Sequence, residues 1–195
     1  MKNYLKNCKI LEDGHVYSKS MEHDACGVGL IASTEGKKSR KVVEYGINAL
    51  KAVFHRGAVD ADGKTGDGAG IHLEIPSNFF AEKIELTGHR HDGSEICIGM
   101  IFLPRNNYEA QESVRTLVES ELTKSNFSIY GWRQVPVNTK VLGEKANFTR
   151  PEITQVLFKY NKKNLTGKEL ERKLYESRRK IEKEAIKNAL EGFYI

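Results

Sequence analysis

What most limits the fold of this chain is a rhythm in its second half. Apolar runs of strand length alternate there with longer stretches patterned for helix. Residues 96–103 read as a strand and residues 108–122 as a helix with Val114, Leu117, Val118 and Leu122 turned inward. Residues 127–137 read as a strand carrying the single tryptophan, Trp132, and residues 153–160 as another. A long helix follows over 168–190, with Leu170, Leu174, Ile181 and Ala185 on one face, and Phe193-Tyr194-Ile195 begins a further strand. Strand, helix, strand, then strand and helix again describe a split βαβ arrangement, or two layers of a larger sandwich; either way the class is α+β. A strand begun three residues before the end exposes an apolar edge, which predicts a domain continuing beyond residue 195.

The first half is organised differently. Residues 1–25 are polar and mixed, with a turn signal at Asp13-Gly14 and no sustained period, and are expected to be a leader without a fold of its own. Residues 27–32 (Gly-Val-Gly-Leu-Ile-Ala) read as a compact strand whose glycines allow close backbone approach. A loop over 33–38 leads to a helix over 39–54, with Val43, Ile47, Leu50 and Phe54 on one face and Gly46 marking close packing against the strand. Then come His55-Arg56-Gly57-Ala58, Asp60-Ala61-Asp62 and Thr65-Gly66-Asp67-Gly68-Ala69-Gly70. Residues 71–76 alternate as a strand stopped by Pro76. Phe79-Phe80 is a short apolar segment running into a loop over 87–95.

Composition narrows the classes. A chain of 195 residues, 39% hydrophobic, holds one domain or one and a fraction. Cys8, Cys26 and Cys97 are odd in number and widely spaced, which fits neither a disulfide framework nor a zinc pattern. A reducing, cytoplasmic setting is expected, with neither a signal peptide nor an apolar run of the roughly 18 residues a membrane helix needs. From Lys159 to Lys187 there are eleven Lys and Arg against five Glu, more than enough to account for the net charge of +5. The glutamates interleave with the bases and no aromatic platform accompanies them. That pattern describes a solvent-facing helix in preference to an RNA-binding face.

Several stretches carry possible chemistry. Cys26, at the mouth of a glycine-containing strand, is either a buried structural cysteine or a nucleophile. Cutting the bond before it would free an α-amine with a pKa near 8, so that one residue would hold both nucleophile and base. The Gly66–Gly70 run fails as a phosphate cradle, because a dinucleotide fingerprint needs strand, loop, then helix, and this loop leads into a strand. His89, His91 and Asp92 lack the second spaced cluster of a metal site and read as a solvated loop. Cys97 sits in an apolar run and reads as core.

Taken in order, Asp24-Ala25-Cys26-Gly27-Val28-Gly29, His55-Arg56-Gly57-Ala58 and Thr65-Gly66-Asp67-Gly68-Ala69-Gly70-Ile71 closely resemble the amino-terminal domain of the glutamate synthase large-subunit family. Gly99-Met100-Ile101-Phe102-Leu103-Pro104, Gly131-Trp132-Arg133-Gln134-Val135-Pro136 and Glu171-Arg172-Lys173-Leu174-Tyr175 fit the same family. Other type 2 amidotransferases share the Cys-Gly start and the His-Arg-Gly element; residues 65–71 and the insertion after them favour glutamate synthase.

The resemblance implies a type 2 glutamine amidotransferase domain with an N-terminal-nucleophile fold. Such a fold is an αββα sandwich of antiparallel sheets, here incomplete at the C-terminus and carrying an inserted α+β segment. Residues 1–25 would be a propeptide and residues 26–195 the first part of the domain. It implies hydrolysis of L-glutamine to glutamate and ammonia through a thioester on Cys26, within glutamate biosynthesis. Arg56, which follows a helix and precedes a glycine, would line the mouth of the site, a structural salt bridge being the alternative. The family's oxyanion donors come from an Asn-Gly pair; no asparagine here precedes a glycine, so they are expected beyond residue 195, together with an arginine for the substrate carboxylate. FMN and a 3Fe-4S cluster are implied for the remainder of the enzyme and none for this segment. Its partners would be that remainder and a small reductase subunit or ferredoxin, with no nucleic acid and no membrane. The competing class is a noncatalytic α+β binding module that uses its basic helix against nucleic acid or an acidic partner.

Overall fold

The computed structural model describes residues 2–14, 27–54, 57–162 and 165–195. The chain divides into a unit formed by Met1–Val59 with Gly66–Ile71 and a unit formed by Asp60–Thr65 with His72–Ile195.

The second unit is built on three antiparallel strands in the order β1-β3-β2: β1 (Cys97–Leu103), β2 (Phe127–Gln134) and β3 (Glu152–Tyr160). Because β1 and β2 each run antiparallel to β3, they are parallel to one another. The helix that joins them crosses over the strand inserted between them. This is the split βαβ of the sequence reading. Its boundaries differ from expectation by a few residues, most at β2, which ends at Gln134 and not at residue 137. At the outer edge of β1, Phe102 exchanges both backbone hydrogen bonds with Tyr194, at 2.9 and 3.0 Å, so the terminal apolar triplet pairs where a strand was expected to begin.

Strand alternation sorts side chains onto two faces. Cys97, Ile101, Leu103, Val156 and Phe158 meet Val114, Val118 and Leu122 of α4 (Tyr108–Lys124) and Leu170 and Ile181 of a long later helix. Leu157 and Ile98 turn the other way, toward Phe80 and Ile84 of α3 (Ser77–Glu85), the helix that the Phe79-Phe80 segment forms where no element was expected. Between β2 and β3 lie a 3₁₀ turn (Thr139–Val141) and α5 (Glu144–Thr149), too short to register as sequence periods.

The long helix, α6 (Gly167–Lys187), opens with a reciprocal cap. The Glu169 N–H donates to the Thr166 hydroxyl at 3.4 Å, and the Glu169 carboxylate accepts from the Thr166 N–H at 2.9 Å. Gly99 is required by packing, since a Cβ there would lie 2.7 Å from Val156.

The first unit holds α1 (Lys2–Asp13), within the segment expected to be a leader without a fold of its own, and α2 (Arg40–Ala52), capped by Ser39. The expected close approach at Gly46 is present, but its neighbour is Ile71, whose Cδ1 lies 3.1 Å from where a Cβ would sit.

Two expected strands are not formed. Residues 27–32 take no strand conformation, and Val28 and Leu30 are 91% and 89% exposed. Residues 71–76 likewise form no strand, with Ile71, Leu73 and Ile75 partly exposed. Alternation supplies a face for burial, but a strand also needs a neighbouring strand for its N–H and C=O groups, and neither stretch joins the sheet of the described chain. Among the described residues the second unit is therefore one antiparallel sheet with helices on both faces, and the second sheet of the expected αββα sandwich is not formed among them.

Candidate functional site

The two residues that the sequence marks for chemistry, Cys26 and Arg56, lie outside the described residues, as does His55. Their described neighbours have definite geometry.

After α2, the Gly57 N–H donates to the Phe54 carbonyl at 3.1 Å. The next residue is held twice. The Ala58 N–H donates to the Asp67 carboxylate (Oδ2) at 2.8 Å, and the Asp67 N–H donates to the Ala58 carbonyl at 3.1 Å. Val59 and Gly66 form an isolated antiparallel bridge beside this pair. The approach is tight enough to need glycine: a Cβ on Gly66 would lie 3.0 Å from the Ala58 carbonyl oxygen. The Thr65–Gly70 run thus works as the return leg of a hairpin that ties down the backbone following His-Arg.

The turn between those legs, Asp60–Thr65, belongs to the second unit. Asp62 organises it, its carboxylate accepting from the Lys64 N–H (2.9 Å), the Thr65 N–H (2.7 Å) and the Thr65 hydroxyl (2.6 Å). These donors, the Thr65 hydroxyl foremost, lower its pKa from 3.8 to about 2. The turn seats against the start of α5, where Lys145 pairs with Asp60 at 2.6 Å. A Cβ on Gly143 would come within 2.1 Å of the Thr65 hydroxyl, so that contact requires glycine. Sequence reading passed over Asp62 and Asp67 as parts of turns. The signal available was the Asp62-x-x-Thr65 spacing of a side-chain-closed turn, and a lone carboxylate between two glycines at 67.

The remaining candidates resolve into structure. Cys97 is buried, and burial above all, with Glu95 and Glu171 nearby, pushes its thiol up to about 12; it is core, as the sequence indicated. Cys8 lies in α1. In the 87–95 loop, His89 Nδ1 meets the Thr87 hydroxyl at 3.2 Å and His91 Nε2 meets the Ser94 carbonyl at 2.8 Å. Asp92 pairs with Lys159 and accepts from the Tyr130 hydroxyl at 3.3 Å. Lys159, more than any other neighbour, holds the Asp92 carboxyl far below the usual carboxylate range. Among the described residues no three His, Cys, Asp or Glu converge on a common point.

On α6 the basic residues are met by glutamates: Arg172 and Lys173 with Glu176 (both 2.9 Å), Arg178 with Glu182 (3.6 Å) and Lys187 with Glu184 (3.3 Å). This is the pairing of a solvated helix face. A recess of about 210 Å³ between α6 and the end of α4 is lined by Lys124, Tyr160, Lys173, Glu176 and Lys180, and includes none of the motif residues. No helix among the described residues is long and apolar enough to cross a membrane.

Residues 26–195 match the family described as glutamine amidotransferases class-II. The chain is 49% identical over 193 residues to the glutamate synthase [NADPH] large chain of Azospirillum brasilense, covering 99% of this chain and 13% of that protein. It is 38% identical to ferredoxin-dependent glutamate synthase 2 of Synechocystis (89% of this chain, 11% of the relative). Against ferredoxin-dependent glutamate synthase 1 of Arabidopsis thaliana the identity is 37%, over 83% of this chain and 10% of the relative. The chain spans roughly an eighth of these relatives' length or less.

Proposed function

The chain belongs to the class-II glutamine amidotransferases, and from that membership we propose that it carries the nucleophile-bearing first part of a glutaminase that feeds ammonia to glutamate synthesis. Residues 1–25 are a leader that is removed, and residues 26–195 begin the amidotransferase domain. The observation that carries this reading is that the family match starts at Cys26 itself, the residue whose freed α-amine would make it a self-sufficient nucleophile.

In the proposed reaction the Cys26 sulfur attacks the side-chain carbonyl carbon of glutamine while its α-amine takes the thiol proton. The C–N bond breaks, the amine returns that proton to the leaving nitrogen, and ammonia departs from a thioester. Water, deprotonated by the same amine, attacks the thioester carbonyl and releases glutamate with the free thiol. Arg56 lines the site. The oxyanion that forms in each half-reaction needs N–H donors, which this reading places on an Asn-Gly pair in a later segment of the domain.

The exposed apolar side chains of Val28, Leu30, Ile71 and Leu73 are consistent with an N-terminal-nucleophile sandwich in which later strands cover them. The ammonia would be used elsewhere in the enzyme, on 2-oxoglutarate, with FMN and a 3Fe-4S cluster there and a reductase subunit or ferredoxin as electron source, in the cytoplasm. A cluster needs thiolates, and Cys97, buried with its thiol pushed up to about 12, does not fit as a ligand.

Cys26→Ser tests the reading. In the longest polypeptide containing these residues, glutamine hydrolysis is expected to disappear while Cys97→Ser retains most of it. Amino-terminal sequencing of the active protein should begin at Cys26. Activity in a preparation still carrying residues 2–25 would sink the proposal.

A further inference from the structure

We propose that the recess between α6 and the end of α4 is a binding site for a phosphate-sized oxyanion, borne as inorganic phosphate or on a small phosphate monoester. Three elements wall it. Lys124 closes α4 and Asn126 follows its cap, Tyr160 ends β3, and Lys173, Glu176 and Lys180 lie along α6.

Charge decides the sign of the ligand. Lys124 meets Glu121 at 2.6 Å, and Glu176 is shared by Arg172 and Lys173 at 2.9 Å each. Glu176 is the acid in the lining, and each of its two oxygens already accepts from a cation. Lys180 forms no ion pair among the described residues. Over the recess and its ion pairs, four cations are therefore set against two carboxylates, a surplus of two positive charges. Glu184, which also acts on Lys124, leaves that balance unchanged because Lys187 pairs with it at 3.3 Å. The end of α4 is the other source of negative potential, and its carbonyls are occupied. The Ser125 N–H takes those of Glu121 and Leu122 at 3.0 and 3.1 Å, and the Asn126 N–H takes that of Thr123 at 3.0 Å.

Volume decides the size. The recess holds about 210 Å³, several times the roughly 30 Å³ of one water in the liquid. It falls short of the roughly 300 Å³ at which pockets for drug-sized ligands begin. A tetrahedral oxyanion with a few waters or a short carbon chain fits that space, and a nucleotide does not. A phosphate monoester carries about −1.5 to −2 charge at pH 7, which matches the surplus. Lysines suit such a ligand, being point charges on flexible stems that close on a small anion from several directions. Asn126 and Tyr160 bring an amide and a hydroxyl, both donors, to the same lining.

Calorimetric titration with inorganic phosphate, at fixed ionic strength, tests the site in the longest polypeptide that contains these residues. Saturable binding is expected. Lys180→Gln, an exposed change that breaks no ion pair, should weaken it by about tenfold, as the loss of one charge-assisted contact would. Lys180→Arg should keep it within about threefold, and Glu176→Gln should tighten it by about threefold, a carboxylate being removed. Glycerol phosphate titrated alongside separates the two sources: the ligand that binds the parent more tightly and loses more in Lys180→Gln is the one the recess takes. Absence of saturable binding, or equal binding by the parent and Lys180→Gln, overturns the proposal. So does L-glutamate displacing phosphate at equal concentration, which would make the recess a carboxylate site.

Discussion

The two units stabilise themselves by different means. In the second, three strands carry apolar residues on both faces and helices close over each; Ile84, Ile101, Leu103, Val118, Val156 and Ile181 are wholly inaccessible. In the first, α2 buries no residue completely, and Val28, Leu30, Phe54 and Val59 are exposed. What order the first unit has around Gly57–Asp67 comes from turns, a single bridge and one carboxylate. The contrast teaches that the family's motifs differ in what they do for the fold: Gly66–Gly70 is exposed and held by turns, whereas Gly99–Pro104 contributes Ile101 and Leu103 to the core. The second unit supplies its own hydrophobic stabilisation, whereas residues 27–32 and 71–76 add no strand to any sheet of the described chain.

Truncating matched apolar side chains in the two units gives the sharpest test. Ile101→Ala should destabilise the 195-residue chain by about 2–5 kcal/mol, the usual cost of emptying a packed site. Leu30→Ala, at a position 89% exposed, should change it by less than about 0.5 kcal/mol. Urea denaturation followed by the fluorescence of Trp132 measures both, and equal costs would erase the contrast. A smaller effect is expected at the cap of α6, where Thr166→Ala should cost about 1 kcal/mol in the same assay. A neutral result there would mean that burial of Leu170 and Ile181 holds the helix without help from its terminus.

The smallest effect concerns pH. The folded-state pKa of Asp62 lies below its ordinary value, so the stability it contributes is complete above about pH 4 and is lost as pH falls toward 2. Amide exchange at Lys64 and Thr65 should accelerate over that window while β3 stays protected. Simultaneous loss of protection in β3 would show that the turn and the sheet open as one body.

The second unit was legible because its elements are long and periodic and find their partners within the described chain. The helix of Val114, Val118 and Leu122 and the strand of Val156, Leu157 and Phe158 read directly from spacing. The strands at 27–32 and 71–76 were read from alternation alone, which reports a face suited to burial and says nothing about a pairing partner. α3 was missed because nine residues around Phe79-Phe80 give too little period. At the site, residue types located the family's motifs, while the hydrogen bond from the Ala58 N–H to Asp67 depends on a backbone approach at Gly66 that only geometry reveals.

One consequence follows from the way β2 is threaded. Its register slips between Ile129, opposite Phe158, and Gly131, opposite Leu157, leaving Tyr130 as an extra residue. The Thr87 hydroxyl takes up the stray Tyr130 carbonyl at 2.7 Å, and Gly131 at φ 145 lets Thr87 come that close. The slip exchanges odd for even along the strand. Phe127 and Ile129 face α4 and α6, Tyr130 faces α3, and Trp132 joins the first pair, where a regular strand would have set it with the second. That parity change is what brings the indole N–H to Glu119 at 2.6 Å and under the guanidinium of Arg115. Threading the same residues without the slip would send every side chain from Trp132 onward to the opposite face, whereas deleting Tyr130 would straighten the strand and leave them where they are. The slip is what reconciles the spare residue with the faces beyond it.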